Sequence, residues 1–281
     1  MAQAHRDRLT RRELLFMEGA EATLDDAPRA VERFRLLASL YPDDYRARYN
    51  EASFAHFDLL RGEEARRAMK GADVPQNAQR PSAVYLMASI ELAMGEEDAA
   101  LALFERSVTL GVRGSLREYI DAYSAKRRYV DARRIAALQA PVGLPGQDIE
   151  SRHFEASLPL DQGNWQAARE ALSGLREDGR EKAISAETMA NLELMELTLR
   201  AYAPDPAFKA DLGAWTDLQV DRLVKAGALL RRQAIFHVLA GAWMSAHTGD
   251  PDRARELLAG VENENQARVY PANAAMIRVV K

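Results

Sequence analysis

The sequence predicts an all-α protein built as an array of helical hairpins. Its composition is the first observation behind this prediction. Strong helix formers dominate: 50 of the 281 residues are alanine, whereas the 16 glycines and 11 prolines together make up less than a tenth of the chain. The second observation is a repeated pattern in which a turn residue precedes polar residues, an alanine and then apolar residues at helical spacing.

The alanines of this pattern set its period. Successive copies centre on Ala30, Ala65, Ala100, Ala132 and Ala168. The intervals between them are 35, 35, 32 and 36 residues, and the next clear copy follows 86 residues later at Ala254. A period of about 34 residues is the length of a helix–turn–helix repeat. The last interval leaves room for two longer units with a degenerate copy between them.

Each copy is expected to hold a first helix, a turn and a second helix. The predicted hairpins span residues 11–44, 45–78, 79–112, 113–146, 147–180, 181–221 and 222–262. Within the third, we expect helices over 82–94 and 97–110. Residues 268–281 are predicted to form a capping helix, and residues 1–9 a flexible N-terminus. The apolar side chains expected to cover the last hairpin are Ala275, Met276, Val279 and Val280.

The hairpins resemble tetratricopeptide repeats. The matching positions include Val84, Met87, Ala88, Gly95, Ala100 and Phe104 in one copy, and Ala156, Gly163, Trp165, Ala168 and Leu172 in another. The first copy departs from the family, because Glu18 stands where a small residue belongs, with Gly19 beside it. The resemblance implies a right-handed superhelical α-solenoid of about six to seven hairpins, forming one continuous array over residues 10–281 and capped by the C-terminal helix.

A weaker resemblance concerns the first hairpin. Residues 9–19, followed by residues 40–44, are similar to repeat regions appended to bacterial protein kinases and winged-helix regulators. This resemblance implies a sensing or docking module excised from a signalling protein. The chain is then expected to be periplasmic if it comes from a membrane-anchored protein, and cytoplasmic if it is complete as given.

Charge and motifs argue against several functional classes. The 38 lysines and arginines stand against 42 acidic residues, so no overall positive field favours nucleic acid. There is no cysteine and no apolar run of about 20 residues that would insert into a membrane. The five histidines form no metal-ligand pair, and no phosphate-binding loop or nucleophile elbow is present. We expect neither an enzyme nor a cofactor or metal site.

Function is expected on the first helices, which line the concave wall in a solenoid of this kind. The predicted partner-binding residues are Arg12, Phe16, Arg46, Tyr49, Asn50, Ser53, His56, Phe57, Tyr85, Arg117, Asp121 and His153. Placing them on the repeat pattern predicts that they point into the groove.

The first helix of the second hairpin carries the densest set of these residues. Tyr49, Ser53, His56 and Phe57 follow helical spacing and predict one stripe. Tyr49 and Phe57 also fit a core role, whereas Arg46, Asn50 and His56 favour exposure, because a polar group buried without a partner is costly. The resemblance places Asn50 where groove asparagines of the family hold a ligand backbone. Arg46 would stand in for the family's lysines.

These expectations lead to a non-catalytic scaffold that binds an extended peptide or a partner helix of another protein in its concave groove. The alternative is a ligand-sensing or regulatory domain excised from a membrane-anchored bacterial signalling protein, either a kinase or a transcription regulator. A third possibility is an assembly factor that uses its convex surface.

Overall fold

Every regular element in the described part of the chain is a helix. The structure, a computed structural model, describes residues 8–24, 26–112, 114, 116–138, 149, 152–202 and 205–280. Most of the N-terminus expected to be flexible, residues 1–7, therefore lies outside the described residues. So do residues 139–148, where the fourth predicted hairpin meets the fifth. The all-α prediction is confirmed.

The first eight helices form four successive pairs. Their bounds are α1 Arg11–Ala22, α2 Ala27–Leu40, α3 Tyr45–Ser53, α4 Gly62–Met69, α5 Arg80–Ala93, α6 Glu97–Thr109, α7 Arg117–Ala125 and α8 Tyr129–Ala136. A π-helical turn, Phe54–Asp58, extends α3. The helices of the third pair lie within two residues of the bounds predicted from the sequence.

The remaining helices are longer on average and end in two short ones. Their bounds are α9 Phe154–Asp161, α10 Trp165–Glu181, α11 Ala186–Ala201, α12 Phe208–Lys225, α13 Ala228–His247, α14 Pro251–Val261, α15 Asn265–Val269 and α16 Pro271–Val280. The helices group into two compact units. The first comprises Met1–Val112, Lys225–Ile235 and Val261–Arg278, and the second comprises Arg113–Val224, Phe236–Gly260 and Val279–Lys281. The single continuous superhelix stays a prediction.

The alanines that set the sequence period are buried, as predicted. Relative exposure is 0% at Ala30, Ala65, Ala100, Ala132 and Ala168. Each lies near the start of the second helix of a pair, and the phenylalanines one turn after two of them, Phe34 and Phe104, are also buried. A methyl side chain lets the paired helices approach closely, and the larger residue then fills the space beside it.

Left-handed backbone closes most of the hairpin turns. Gly95, Gly163 and Gly249 follow the first helices of their pairs with φ angles of +82°, +77° and +83°. Glycine adopts this conformation without steric cost and commonly ends helices for that reason. Leu60 and Arg127 hold the same place in two other turns, with φ of 53° and 56°. The turn geometry therefore persists where the glycine does not.

The small residue of α1 is Gly19, not a residue at position 18. A Cβ atom on Gly19 would lie 2.9 Å from the ring of Phe34, which stacks in turn on Phe54 with ring centres 6.0 Å apart. Glu18 lies outside this contact and pairs with Arg33 at 3.4 Å. The first hairpin therefore does have its small residue, one position later than the repeat pattern places it. The expectation that it lacks one was wrong.

The first unit joins the beginning of the chain to segments near its end. Arg232 forms an ion pair with Asp58 and lies over the ring of Tyr270, 4.7 Å from its centre. Gln266 Nε2 donates to the carbonyl oxygen of Leu24 at 3.2 Å. Tyr270 is 4% exposed and belongs to the same core cluster as Val31. The C-terminal segment therefore completes the core of the first hairpins, whereas Val279, expected to cover the last hairpin, is largely exposed.

The second unit has its core between successive helix pairs. One cluster joins Leu172 and Leu175 of α10 to Leu192 and Leu199 of α11. Another cluster joins α11, α12 and α13. Helices α12 and α13 approach each other closely, because a Cβ atom added to Gly241 would lie 2.3 Å from Thr216 Cγ2. The helices of this unit are therefore held by apolar clusters shared between neighbouring helices.

Candidate binding surface

The N-terminal ends of α1 and α3 bring three of the predicted residues together. Thr10 caps α1 and exchanges hydrogen bonds with Glu13, which fixes the first turn that carries Arg12. Arg12 Nε donates to Asp44 Oδ2 at 2.8 Å, and this hydrogen bond is the main cause of a raised Arg12 pKa. The Arg46 guanidinium lies over the ring of Phe16, 5.1 Å from its centre, and its Nε lies 3.8 Å from Oδ1 of the same Asp44 carboxylate. Arg12, Phe16 and Arg46 therefore form one patch, here called the α1–α3 patch.

The patch continues along α3. Tyr49, Asn50 and Ser53 are half-buried, and Asn50 and Ser53 follow Arg46 at intervals of four and three residues, so the three share a face of the helix. The side chains of Asn50 and Ser53 make no hydrogen bond with any described residue. Their amide and hydroxyl groups can thus serve a ligand backbone.

The predicted stripe breaks after Ser53. The π-helical turn closes with a hydrogen bond from Leu59 N to Phe54 O at 3.1 Å, five residues apart instead of four. The wider turn changes which side chains face outward. His56, expected to be exposed, is only 8% exposed, and Phe57, which also fitted a core role, is 50% exposed. The exposure predicted for His56 was therefore wrong.

Tyr85 takes part in packing within its own hairpin. Its ring meets the buried Phe104 edge to face, with centres 4.9 Å apart. The carbonyl oxygen of Tyr85 accepts a hydrogen bond from Ser89 Oγ at 3.2 Å. Tyr85 is half-buried in this arrangement, so part of its side chain holds α5 against α6.

The other three predicted residues belong to the second unit. Arg117 Nε lies 3.7 Å from Asp121 Oδ2, one turn along α7. Burial raises the pKa of Asp121 to about 6, although Arg117 opposes the shift. His153 is half-buried just before α9. The twelve predicted residues are thus divided between the two units, and their shared groove stays a prediction.

Sequence reasoning missed a run of four aromatic side chains in the second unit. Trp165, Tyr202, His247 and Trp243 contact one another in that order, with ring centres 6.0, 5.6 and 5.3 Å apart. Three of them flank hairpin turns: Trp165 begins α10, Tyr202 follows α11 and His247 ends α13. An aromatic residue next to successive turns is a signal visible in the sequence. We call these four residues the aromatic strip.

Two open clefts of similar size lie beside second helices of the hairpins. One, of about 410 Å³ in the first unit, is lined by α2, α3 and α4, where Arg35 pairs with both Glu51 and Glu64. The other, of about 400 Å³ in the second unit, is lined by α10, α11 and α12, where Arg176 pairs with Glu196. In each cleft, an arginine of the lining is therefore held by an ion pair within the chain.

The described residues include neither a metal-binding cluster nor a membrane-spanning helix. No group of three or more histidine, aspartate or glutamate side chains is placed to hold a metal ion there. None of the helices in that part of the chain has the length and apolar character needed to cross a membrane.

Comparison with known proteins finds a likeness in structure and none in sequence. No family model matches the chain, and no curated protein matches it by sequence. Among solved structures, it is similar to the crystal structure of the TPR domain of P58(IPK), with 14% sequence identity, 96% of this chain and 89% of that chain covered, and a TM-score of 0.35. The assignment of an all-α fold of helical hairpins therefore rests on the helices described above.

Proposed function

We propose that this chain is a non-catalytic interaction scaffold that binds an extended peptide or a helix of a partner protein at the α1–α3 patch. The proposal rests on three side chains that share one face of α3. The Arg46 side chain is 60% exposed and its guanidinium lies over the ring of Phe16, while Asn50 and Ser53 are half-buried.

Each part of the patch suits a different part of a peptide. An asparagine side chain offers both a donor and an acceptor, which matches the backbone of an extended chain. The arginine guanidinium can bond a carboxylate through two parallel hydrogen bonds. Phe16 and Tyr49 add the partly apolar surface on which anchoring side chains of a partner gain most of their binding energy.

The test begins with a peptide, because the partner is not identified. A random 12-residue phage-display library is selected against the full chain, and one enriched peptide is synthesised with a fluorescent label. Its Kd is measured by anisotropy for the parent chain and for Asn50→Ala, Tyr49→Ala and Arg46→Ala. Loss of a hydrogen bond to a backbone group is expected to weaken binding about tenfold in Asn50→Ala.

The matched control is Arg11→Ala. Arg11 is an exposed arginine next to Arg12 on α1, with no ion pair to any described residue. Its removal is expected to change the Kd by less than about twofold. Unchanged binding in correctly folded Asn50→Ala and Arg46→Ala would exclude this face, and circular dichroism reports on the folding of each variant.

A further inference from the structure

The aromatic strip presents three of its four rings, those of Trp165, Tyr202 and His247, to solvent. Trp165 is 46% exposed and Tyr202 is 60% exposed, although the two rings also meet edge to face. Trp243 is half-buried against the core of the second unit and stacks on His247 with an interplanar angle of 16°. The strip is therefore anchored in the core of the second unit at Trp243 and exposed to solvent along its other three rings.

Acidic residues outnumber basic ones in the segments that carry the strip. Residues 154–224 and 236–260 hold nine lysines and arginines and sixteen acidic residues, whereas residues 113–153 of the same unit hold eight basic and five acidic residues, and Arg133 donates to Gln162 Oε1 at the turn before Trp165. Three exposed carboxylates, Asp161, Asp205 and Asp250, lie within four positions of a strip residue at the same hairpin turns. Asp205 is already paired with Arg200, whereas Asp161 has no ion pair with any described residue.

We propose that the aromatic strip binds an arginine-rich segment of a partner protein. A guanidinium stacks on the face of an indole or phenol ring through cation–π attraction, and the surrounding carboxylates add a favourable field. An apolar segment would gain the ring contacts but would bury the neighbouring carboxylates without compensation. A nucleic acid would bring its phosphates towards the exposed carboxylates of Asp161, Asp205 and Asp250.

This surface is separate from the α1–α3 patch, so the two proposals can fail independently. The strip residues lie in the second unit, whereas Arg12, Phe16 and Arg46 lie in the first. The variant Asn50→Ala is accordingly expected to leave binding at the strip unchanged.

The probe is a labelled ten-residue peptide of alternating arginine and serine, titrated against the full chain at physiological ionic strength. Three comparison peptides replace every arginine with citrulline, leucine or glutamate. Citrulline keeps the shape of arginine and removes its charge, so it is expected to bind at least about tenfold more weakly. Equal or tighter binding of the citrulline or leucine peptide would overturn the proposal, as would failure of the arginine peptide to bind.

Variants separate ring stacking from general attraction to the carboxylates of the chain. Tyr202→Leu keeps an apolar side chain and the net charge but removes the aromatic face, so we expect the Kd to rise about fivefold to tenfold, whereas Tyr202→Phe should change it by less than about twofold. Val130→Ala, at an exposed apolar residue elsewhere in the second unit, is the matched control. An unchanged Kd in both Tyr202→Leu and Trp165→Ala would show that the peptide binds elsewhere and would contradict the proposal.

Discussion

Arg232 forms an ion pair with Asp58, which lies 174 positions earlier in the chain. The Asp58 side chain is only 9% exposed, and burial raises its pKa while the positive charge of Arg232 lowers it. The net effect is a raised pKa, so Arg232 offsets only part of the effect of burial on this carboxyl group. Arg232 also contacts the ring of Tyr270, so it links Asp58 to the C-terminal segment.

Removal of Arg232 should destabilise the first unit. Arg232→Ala leaves Asp58 without its ion-pair partner, and we expect the free energy of unfolding to fall by about 2 kcal/mol, less than for a fully buried pair because Arg232 itself is half-exposed. Urea denaturation measures the change. The control is Arg255→Ala, whose ion pair with Asp252 is fully on the surface and should cost less than about 0.5 kcal/mol. Equal effects of the two variants would contradict the structural role of the Arg232–Asp58 pair.

Truncation tests the contribution of the C-terminal segment. A chain that ends after Gly260 loses Tyr270 from the core cluster that contains Val31 and Leu86. The exposed apolar surface should lower the Tm and favour association between copies. Differential scanning calorimetry and light scattering during size-exclusion chromatography measure the two effects. A truncated chain that stays monomeric with an unchanged melting curve would show that this segment is dispensable.

Much of the helical framework was predictable from the sequence, because it depends on short-range spacing. An alanine one turn before a larger apolar residue recurs with the period of a hairpin, and Ala65 and Ala100 are fully buried as that pattern predicts. Turn glycines such as Gly95 adopt the left-handed conformation for a local reason, the absence of a Cβ.

The candidate surfaces were less predictable, because they depend on departures from regular geometry and on distant contacts. A π-helical turn changes the facing of His56 and Phe57, and nothing in the helical spacing of Tyr49–Phe57 signals the extra residue in that turn. The contact of Arg232 with Asp58 joins segments with no local relationship. The aromatic strip forms only when several turns are stacked side by side.

Two glycines in helices of the second unit should respond in opposite ways to alanine. In Gly241→Ala the new methyl group would meet Thr216, and overpacking should cost about 1–3 kcal/mol of unfolding free energy. In Gly174→Ala nothing lies within 4 Å of the new Cβ, so higher helix propensity should add about 1 kcal/mol. Urea denaturation of both variants measures the difference, and a stabilised Gly241→Ala would disprove the close approach of α12 and α13.

The stability of the chain should depend on pH through His237. This residue is buried, shares a hydrogen bond of 2.9 Å with Asn191 Oδ1, and has its pKa lowered to about 4, mainly by burial. The unfolded chain therefore binds a proton near pH 6.5 that the folded chain does not take up until about pH 4. Stability should fall as the pH decreases across this window, by up to about 3 kcal/mol from this group alone.

Asp121 should give the opposite slope over much of the same range. Its pKa is raised to about 6, so the folded chain holds a proton that the unfolded chain has lost, and this contribution to stability decreases as the pH rises from about 4 to 6. The effect should be smaller than that of His237, because the Asp121 side chain is nearly half exposed to solvent. The two variants are compared with the parent by their urea midpoints between pH 4 and 7. As the pH falls, the midpoint should decrease less in His237→Gln than in the parent chain, and more in Asp121→Asn. Parallel curves for the parent and both variants would contradict these assignments.

Substitutions in two of the left-handed turns, Leu60→Gly and Gly95→Ala, should change the free energy of unfolding in opposite directions. Leu60 is exposed and adopts a φ of 53°, a conformation that a side chain with a Cβ disfavours, so Leu60→Gly should raise the free energy of unfolding by about 1 kcal/mol. At Gly95, with φ of +82° and nothing within 4 Å of a new Cβ, alanine should lower it by about 1 kcal/mol through backbone strain alone. Thermal and urea denaturation of the two variants measure these opposite shifts. If Leu60→Gly were destabilised as much as Gly95→Ala, the leucine side chain would contribute packing that outweighs the strain, and the shared turn geometry would not control stability at this position.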